Sequence, residues 1–490
     1  MTIDLRTRIG QLNDVLCTVN MLNWDARTQM ASGGAETRGH QVATLMGIAR
    51  QMILDPTMQD AVDAAGDDPQ AYAVREAIDH HARLPADLLQ AKAQHATVAG
   101  AAWAKARGQG DFAIFQPHLE KVVALARRTA DALGHQGHPY DPMVQVFEPG
   151  ETAASLGTLF DSLRAGILPI LDRARARPAP RTDFLYRDYD PRLQKQFATQ
   201  IAHALGYDFD RGRLDTAVHP FEVSFTRNDV RITSRWPRNY LPMSIFGTIH
   251  EVGHALYEQG VDPIHTRSAF ATDMIGLYAV GGTSFGMHES QSRLLENHVG
   301  RSPAFWHAHF PHLRDTFPDQ LSDVTTEEFV AAVNRVEPGS IRVEADELTY
   351  DLHIMLRVRI EMALMEGSLE VADIPDTWNQ AMKSDLGIEI DSDAHGCLQD
   401  IHWSSGYIGS FPTYTIGNMT AAQLMRHLGE GSPGVISAVN EGNLEPLRGS
   451  LREAVWKHGR SLTRAQILDR LGLASNDPSA YLEYLDRKFS

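Results

Sequence analysis

Apolar residues recur every three to four positions over most of the chain, a period that predicts amphipathic helices. Near the N-terminus "LNDVLCTVNMLNWDARTQM" and "TRGHQVATLMGIARQMIL" carry it, and further on so do "AIFQPHLEKVVALARRTADAL" and "SLGTLFDSLRAGILPILDRARA". The pattern breaks at "RARPAPRTDFLYRDYDP", where proline and charge dominate. That stretch reads as a surface connection closing a mainly helical N-terminal lobe, residues 1–190. "FEVSFTRNDVRITSRW" switches to a period of two around Thr226–Asp229 and predicts a small hairpin. "AVGGTSFGM" reads as a Gly-rich loop, and helical periodicity then resumes to the end, without repeats or low-complexity tracts.

Charge narrows the partners. Asp and Glu outnumber Lys and Arg to give a net charge of −17. A nucleic acid or an anionic membrane needs a basic footprint, so neither is expected. Two cysteines, Cys17 and Cys397, are too few for a disulfide framework. The N-terminal "MTIDLRTRIG" has no apolar signal core, and no apolar run approaches the ~18 residues of a membrane span. A soluble cytoplasmic protein is the expectation.

The chemistry concentrates in "FGTIHEVGHALYEQG". Residues four apart on a helix share a face, so His250 and His254 aim two imidazoles at one point. Glu251 lies about 100° round from His250, near a metal held there but not pointing at it. That suits a carboxylate that takes a proton from metal-bound water. Ile249, Val252 and Leu256 supply an apolar stripe, and Gly260 is a natural stop. A motif this short arises by chance in roughly one chain in ten of this length, so a third ligand must be found.

A catalytic zinc needs three protein ligands and an open position. A third histidine six residues after His254 would fall on Gly260, which excludes the HExxHxxGxxH pattern. Among the downstream carboxylates, Asp262 lies just past the helix end beside Pro263, and Asp273 precedes an apolar run and the Gly-rich loop. Glu289 opens the amphipathic "HESQSRLLEN", and Glu296 points along the same face two turns on. A second helix packed on the first presents Glu289 to the two histidines, and Glu289 is the expected ligand.

"HEVGHALYEQG", "HESQSRLLEN", "IRVEADELTY" and "GCLQDIHWSSGYIGSFPTY", in this order, resemble the thermostable-carboxypeptidase (Taq-type) zinc metallocarboxypeptidases, peptidase family M32. "WDARTQMASGGAETR", "HPF" at His219–Phe221 and the terminal "YLEYLDRKF" extend the likeness over essentially the whole chain. The resemblance implies a mainly α, two-lobed fold with a deep groove and a small β element near the site, related in shape to the angiotensin-converting-enzyme and neurolysin group. It implies a single catalytic domain over residues 1–490, with the zinc site within 191–490, and a homodimer. It also implies His250, His254 and Glu289 as metal ligands and Glu251 as the base. Zinc is the expected ion, and the same ligands accept cobalt or manganese. Two features depart from the family pattern. The segment between His254 and Glu289 is longer by a short loop, and Ser410 stands in "GSFP" where the family commonly has tyrosine.

Peptide hydrolysis develops an oxyanion, which a neutral Tyr or His donor helps to stabilise. His402, Tyr407 and Tyr414 share one Gly-rich aromatic stretch, and the resemblance favours His402 and Tyr414. A carboxypeptidase must also grip the terminal carboxylate of its peptide, which suits the planar fork of an arginine. By resemblance this is Arg342, whose competing reading is a salt bridge to Glu344 or Asp346. His219 is a substrate-groove candidate or a residue that starts a strand. The reading is a zinc carboxypeptidase releasing single residues from peptides with a free C-terminus. An oligoendopeptidase or dipeptidase on the same scaffold is the alternative, and a non-catalytic peptide binder the third.

Overall fold

The computed structural model describes residues 4–490 and is built mainly of helices. The four periodic stretches form Leu5–Thr28, Ala35–Leu54, Gln116–Leu133 and Ala153–Arg175. Two of the starts are capped by side chains. Asp4 accepts a hydrogen bond from the Thr7 amide at the first helix, and Thr152 and Ser155 form a reciprocal capping box at Ala153.

The helix Ala153–Arg175 is long and apolar enough to cross a membrane by length and composition, which the sequence reading had not expected of any segment. Here it packs against the C-terminal helix Ser479–Phe489 and buries Leu156, Leu159, Phe160, Leu163 and Ile167.

The hairpin forms at Thr226–Asp229 as its alternation predicts. Strands β1 (Gly212–Thr216), β2 (Glu222–Thr226) and β3 (Asp229–Ser234) make one sheet in the order β1-β3-β2. β2 and β3 are antiparallel, and β1 joins β3 in parallel. β1 escaped the sequence reading because "GRLDT" is short and polar and buries only Leu214 and Asp215.

Internal packing divides the chain into two compact units. The first takes the chain up to His81, Ala179–Asn334 and Thr420–Ser475; the second takes Ala82–Pro178, Arg335–Met419 and Asn476–Ser490. The sheet belongs to the first unit, where β3 packs on the helix Leu241–Gly260. Phe184 and Leu185 lie fully buried in that unit's core, although they sit in the stretch read as a surface connection. The flanking charges stay outside, where Arg181 and Arg187 pair with Asp183 and Asp323.

Candidate metal centre

The helix Leu241–Gly260 carries His250, Glu251 and His254, and it ends at Gly260 as expected. It packs against the helix Phe285–Arg293, which carries Glu289. Gly253 makes this approach possible. A Cβ there would sit 2.4 Å from both the Gln291 carbonyl oxygen and the Ser292 Cα, closer than atoms can come. The bare backbone lets the second helix lie against the first and brings a carboxylate to the histidines.

His250, His254 and Glu289 each offer one ligand atom, all within 4.8 Å of one another; among the described residues this is one such group. Glu289 Oε2 lies 3.3 Å from His254 Nε2 and 3.6 Å from His250 Nε2. The other carboxylate oxygen, Oε1, accepts from Arg293 Nε at 2.8 Å. One lone pair per residue is therefore directed to a common point, while the remaining polar atoms are engaged elsewhere.

His250 Nδ1 lies 3.0 Å from Glu296 Oε2. Glu296 sits on a π-helical turn, Leu294–Val299, that continues the Glu289 helix, and Arg293 and Arg301 hold its carboxylate. On this widened turn Glu296 faces the far nitrogen of His250 and lies outside the group of three. Asp262 caps the turn Pro263–His265, and Asp273 accepts from the Ile275 and Gly276 amides and pairs with Arg460.

The electrostatics suit a cation. Burial lowers His254 to about 3, which keeps it neutral with a lone pair to give. Burial opposes charge on His250 as well, but Glu289 and Glu296 outweigh it and raise that histidine. Burial also disfavours the Glu289 anion, yet Arg293 and the two imidazoles hold its carboxyl well below the usual range. Glu251 is buried beside the group, and desolvation pushes it up to about 7. A neutral imidazole at His254, a second at His250 that gives up its proton to a metal, an ionised carboxylate and an adjacent buried acid form a donor set that fits a divalent metal with N and O ligands.

Sequence reasoning missed two neighbours. His254 Nδ1 lies 2.5 Å from His288 Nδ1, and His288 Nε2 lies 3.0 Å from Glu258 Oε1. The spacing contained a signal: Glu258 follows His254 by the same four residues that separate His254 from His250. The Gly-rich loop has a use here too, since the Gly281 and Gly282 amides donate to Glu258. His219 lies exposed in the connection between β1 and β2, outside the group of three.

The second unit gathers the other candidates. Arg342 is buried, and its Nε and Nη2 lie 2.9 and 2.8 Å from Asp400 Oδ1. Its Nη1 donates to the Tyr350 hydroxyl at 2.9 Å. The salt-bridge partner is thus Asp400, and neither Glu344 nor Asp346, the two acids nearest in sequence. Arg357, fully buried, takes Asp400 Oδ2 at 2.6 Å through both Nε and Nη2. His402 Nε2 and the Tyr414 hydroxyl are 3.3 Å apart, and the Arg342 guanidinium lies 5.2 Å over the Tyr414 ring. Burial, with Arg342 close by, lowers His402 to about 4.

Tyr407 is exposed, and the Ser410 hydroxyl donates to its carbonyl. The loop bearing these residues is fastened to Glu361, whose carboxylate accepts from Trp403 Nε1, the Gly409 amide and the Tyr140 hydroxyl at 2.9, 3.0 and 2.8 Å. Cys397 is buried and unpaired, and burial raises its thiol.

Residues 4–489 match the carboxypeptidase Taq (M32) metallopeptidase family. Thermostable carboxypeptidase 1 of Thermus thermophilus is 36% identical, over 95% of this chain and 94% of its own length. Carboxypeptidase 1 of Bacillus subtilis is 34% identical, over 99% and 97%. The crystal structure of an M32 carboxypeptidase from Deinococcus radiodurans superposes with a TM-score of 0.94 at 38% identity, covering 99% of this chain and 98% of that one. The chain belongs to the carboxypeptidase Taq (M32) family of metallopeptidases.

Proposed function

We propose that this metallocarboxypeptidase holds a zinc ion on His250, His254 and Glu289 and uses Glu251 to carry the proton of peptide hydrolysis. One observation carries the reading: two imidazole Nε2 atoms and a carboxylate oxygen converge, while the opposite nitrogen of each imidazole is already engaged. Cobalt and manganese accept the same donors, so metal supply decides among them. When bound, the ion polarises the scissile carbonyl and makes water a nucleophile near neutral pH.

Glu251 takes the proton from the attacking water and delivers it to the departing amine. Its burial suits this exchange, because a carboxyl near pH 7 gives and takes a proton with little bias. His402 and Tyr414 are the proposed neutral donors to the developing oxyanion, with Tyr407 as a third candidate. His402 stays uncharged at neutral pH and can donate without competing for the proton.

Arg342 is the proposed anchor for the terminal carboxylate. Asp400 and Tyr350 fix its fork, and further N–H groups remain on Nη1 and Nη2 for a second carboxylate. His219, exposed and in the same unit as the metal ligands, is the remaining substrate-contact candidate. The same reading makes the enzyme a cytoplasmic homodimer that trims peptides one residue at a time.

The test is a digest read by mass spectrometry on peptides with free and with amidated C-termini, with and without chelator. Stepwise loss of single residues from the free acids alone, abolished by chelator, is the expected result. Efficient cleavage of amidated peptides would favour the oligoendopeptidase reading instead.

A further inference from the structure

We propose that His288 and Glu258 form a hydrogen-bond relay that orients His254 and sets how tightly the metal is held. The inference rests on the metal-site reading above and extends it to two residues outside the ligand set.

With both imidazoles neutral and Glu258 ionised, the atoms permit one proton order. Glu258 already accepts from the Gly281 and Gly282 amides at 2.8 Å each and from the Ser224 hydroxyl at 3.0 Å. An ionised carboxylate only accepts, so the proton between it and His288 sits on His288 Nε2. That leaves His288 Nδ1 as an acceptor, and the hydrogen on His254 Nδ1 points to it. His254 then carries its lone pair on Nε2, the nitrogen that faces Glu289. The opposite order would put the proton on Nε2 and close that position to a metal. Glu258 thus selects the tautomer of His254 through His288, as Glu296 does directly for His250.

The surroundings are shaped for this relay. A Cβ on Gly282 would sit 2.2 Å from His288 Cδ2, so the Gly-rich loop clears the volume of the imidazole while its amides hold Glu258. Tyr257 stacks on the ring, 5.3 Å between centroids. His288 is next to Glu289 in sequence, so one helix delivers both a ligand and the support of another ligand.

Zinc affinity measured by chelator competition on the full chain separates the relay from mere packing. His288→Phe fills the space of the imidazole but offers no acceptor, and it should bind zinc roughly 10–100-fold more weakly. His288→Asn is smaller but places an amide oxygen near the former Nδ1, so it should recover much of that loss. Glu258→Gln, which removes the charge that orders the protons, should weaken binding in the same direction. Melting temperatures of the metal-free proteins report folding separately, since a packing defect follows volume and a relay defect follows the acceptor. The visible spectrum of the cobalt form should change in His288→Phe and return toward the parent in His288→Asn. The affinity order parent, Asn, Phe supports the relay. Phe equal to the parent, or Asn no better than Phe, would overturn it. A parent protein that binds no zinc, or a Glu289→Ala variant that binds it as tightly as the parent, would instead remove the metal-site reading.

Discussion

Asp400→Asn tests the buried charge cluster that holds Arg342. The carboxylate serves two guanidiniums, one on each oxygen; both arginines are buried and the Asp400 side chain is only 10% exposed. Burial disfavours the Asp400 anion, but Arg357 and Arg342 hold its carboxyl well below the ordinary range, so it is charged at neutral pH. Asparagine keeps the shape, leaves one oxygen acceptor and turns an N–H donor toward the other guanidinium. One arginine then loses its partner in a largely buried site.

Breaking a buried pair in this way costs about 3–5 kcal/mol. At about 2–4 °C per kcal/mol for a body of roughly 200 residues, the transition of the second unit should fall by roughly 6–20 °C. Differential scanning calorimetry at neutral pH reads this directly. The exposed Arg173–Asp486 pair is the control, and Asp486→Asn should leave the transition where it is. A shift under ~2 °C for Asp400→Asn would mean that the guanidiniums find other partners or water, and the pinning of Arg342 would fail with it.

Glu251→Gln should keep its metal, measured by elemental analysis, while kcat falls at least ~10²-fold; loss of metal would make Glu251 a ligand. Gly253→Ala should lower metal content, because its methyl group forces the Glu289 helix away, although glycine to alanine inside a helix ordinarily stabilises by roughly 0.5–1 kcal/mol; an unchanged metal content would show that the helices can yield. Burial raises Glu361 to about 7 against the pull of its three donors, so the folded protein favours its protonated form. The stability this contributes is present below the unfolded carboxyl value and is lost as pH rises toward 7, about 3 kcal/mol in all. Denaturant titrations from pH 4.5 to 7.5 should therefore show the stability of the parent falling relative to Glu361→Gln, and a constant gap would contradict the shift.

What the sequence disclosed was mostly local. His250 and His254 lie four residues apart, so helical geometry alone pairs them, and the hairpin at Thr226–Asp229 follows from its own alternation. Glu289 required a second helix of unknown direction, and Gly253, whose missing side chain lets the two helices meet, carries no periodic signal. Glu258 and His288 depend on contacts across 30 and 34 residues and Glu296 on one across 46, and their acidic or polar character alone reads as solvated surface. Arg342 shows the same limit. The acids near it in sequence, Glu344 and Asp346, were the natural partners, yet Asp400 lies closer once the chain folds. Phe184 and Leu185 were hidden by the prolines and charges around them, which describe the surface of that segment and not its buried side.

Zinc titration of chelator-stripped enzyme, read as the release of free C-terminal amino acid from an unblocked peptide, asks whether one metal ion on His250, His254 and Glu289 carries the activity. Release should be absent without metal, rise linearly to one equivalent per chain, and rise no further beyond it. Full activity in the stripped protein, or the same titration curve from Glu289→Ala, would contradict it.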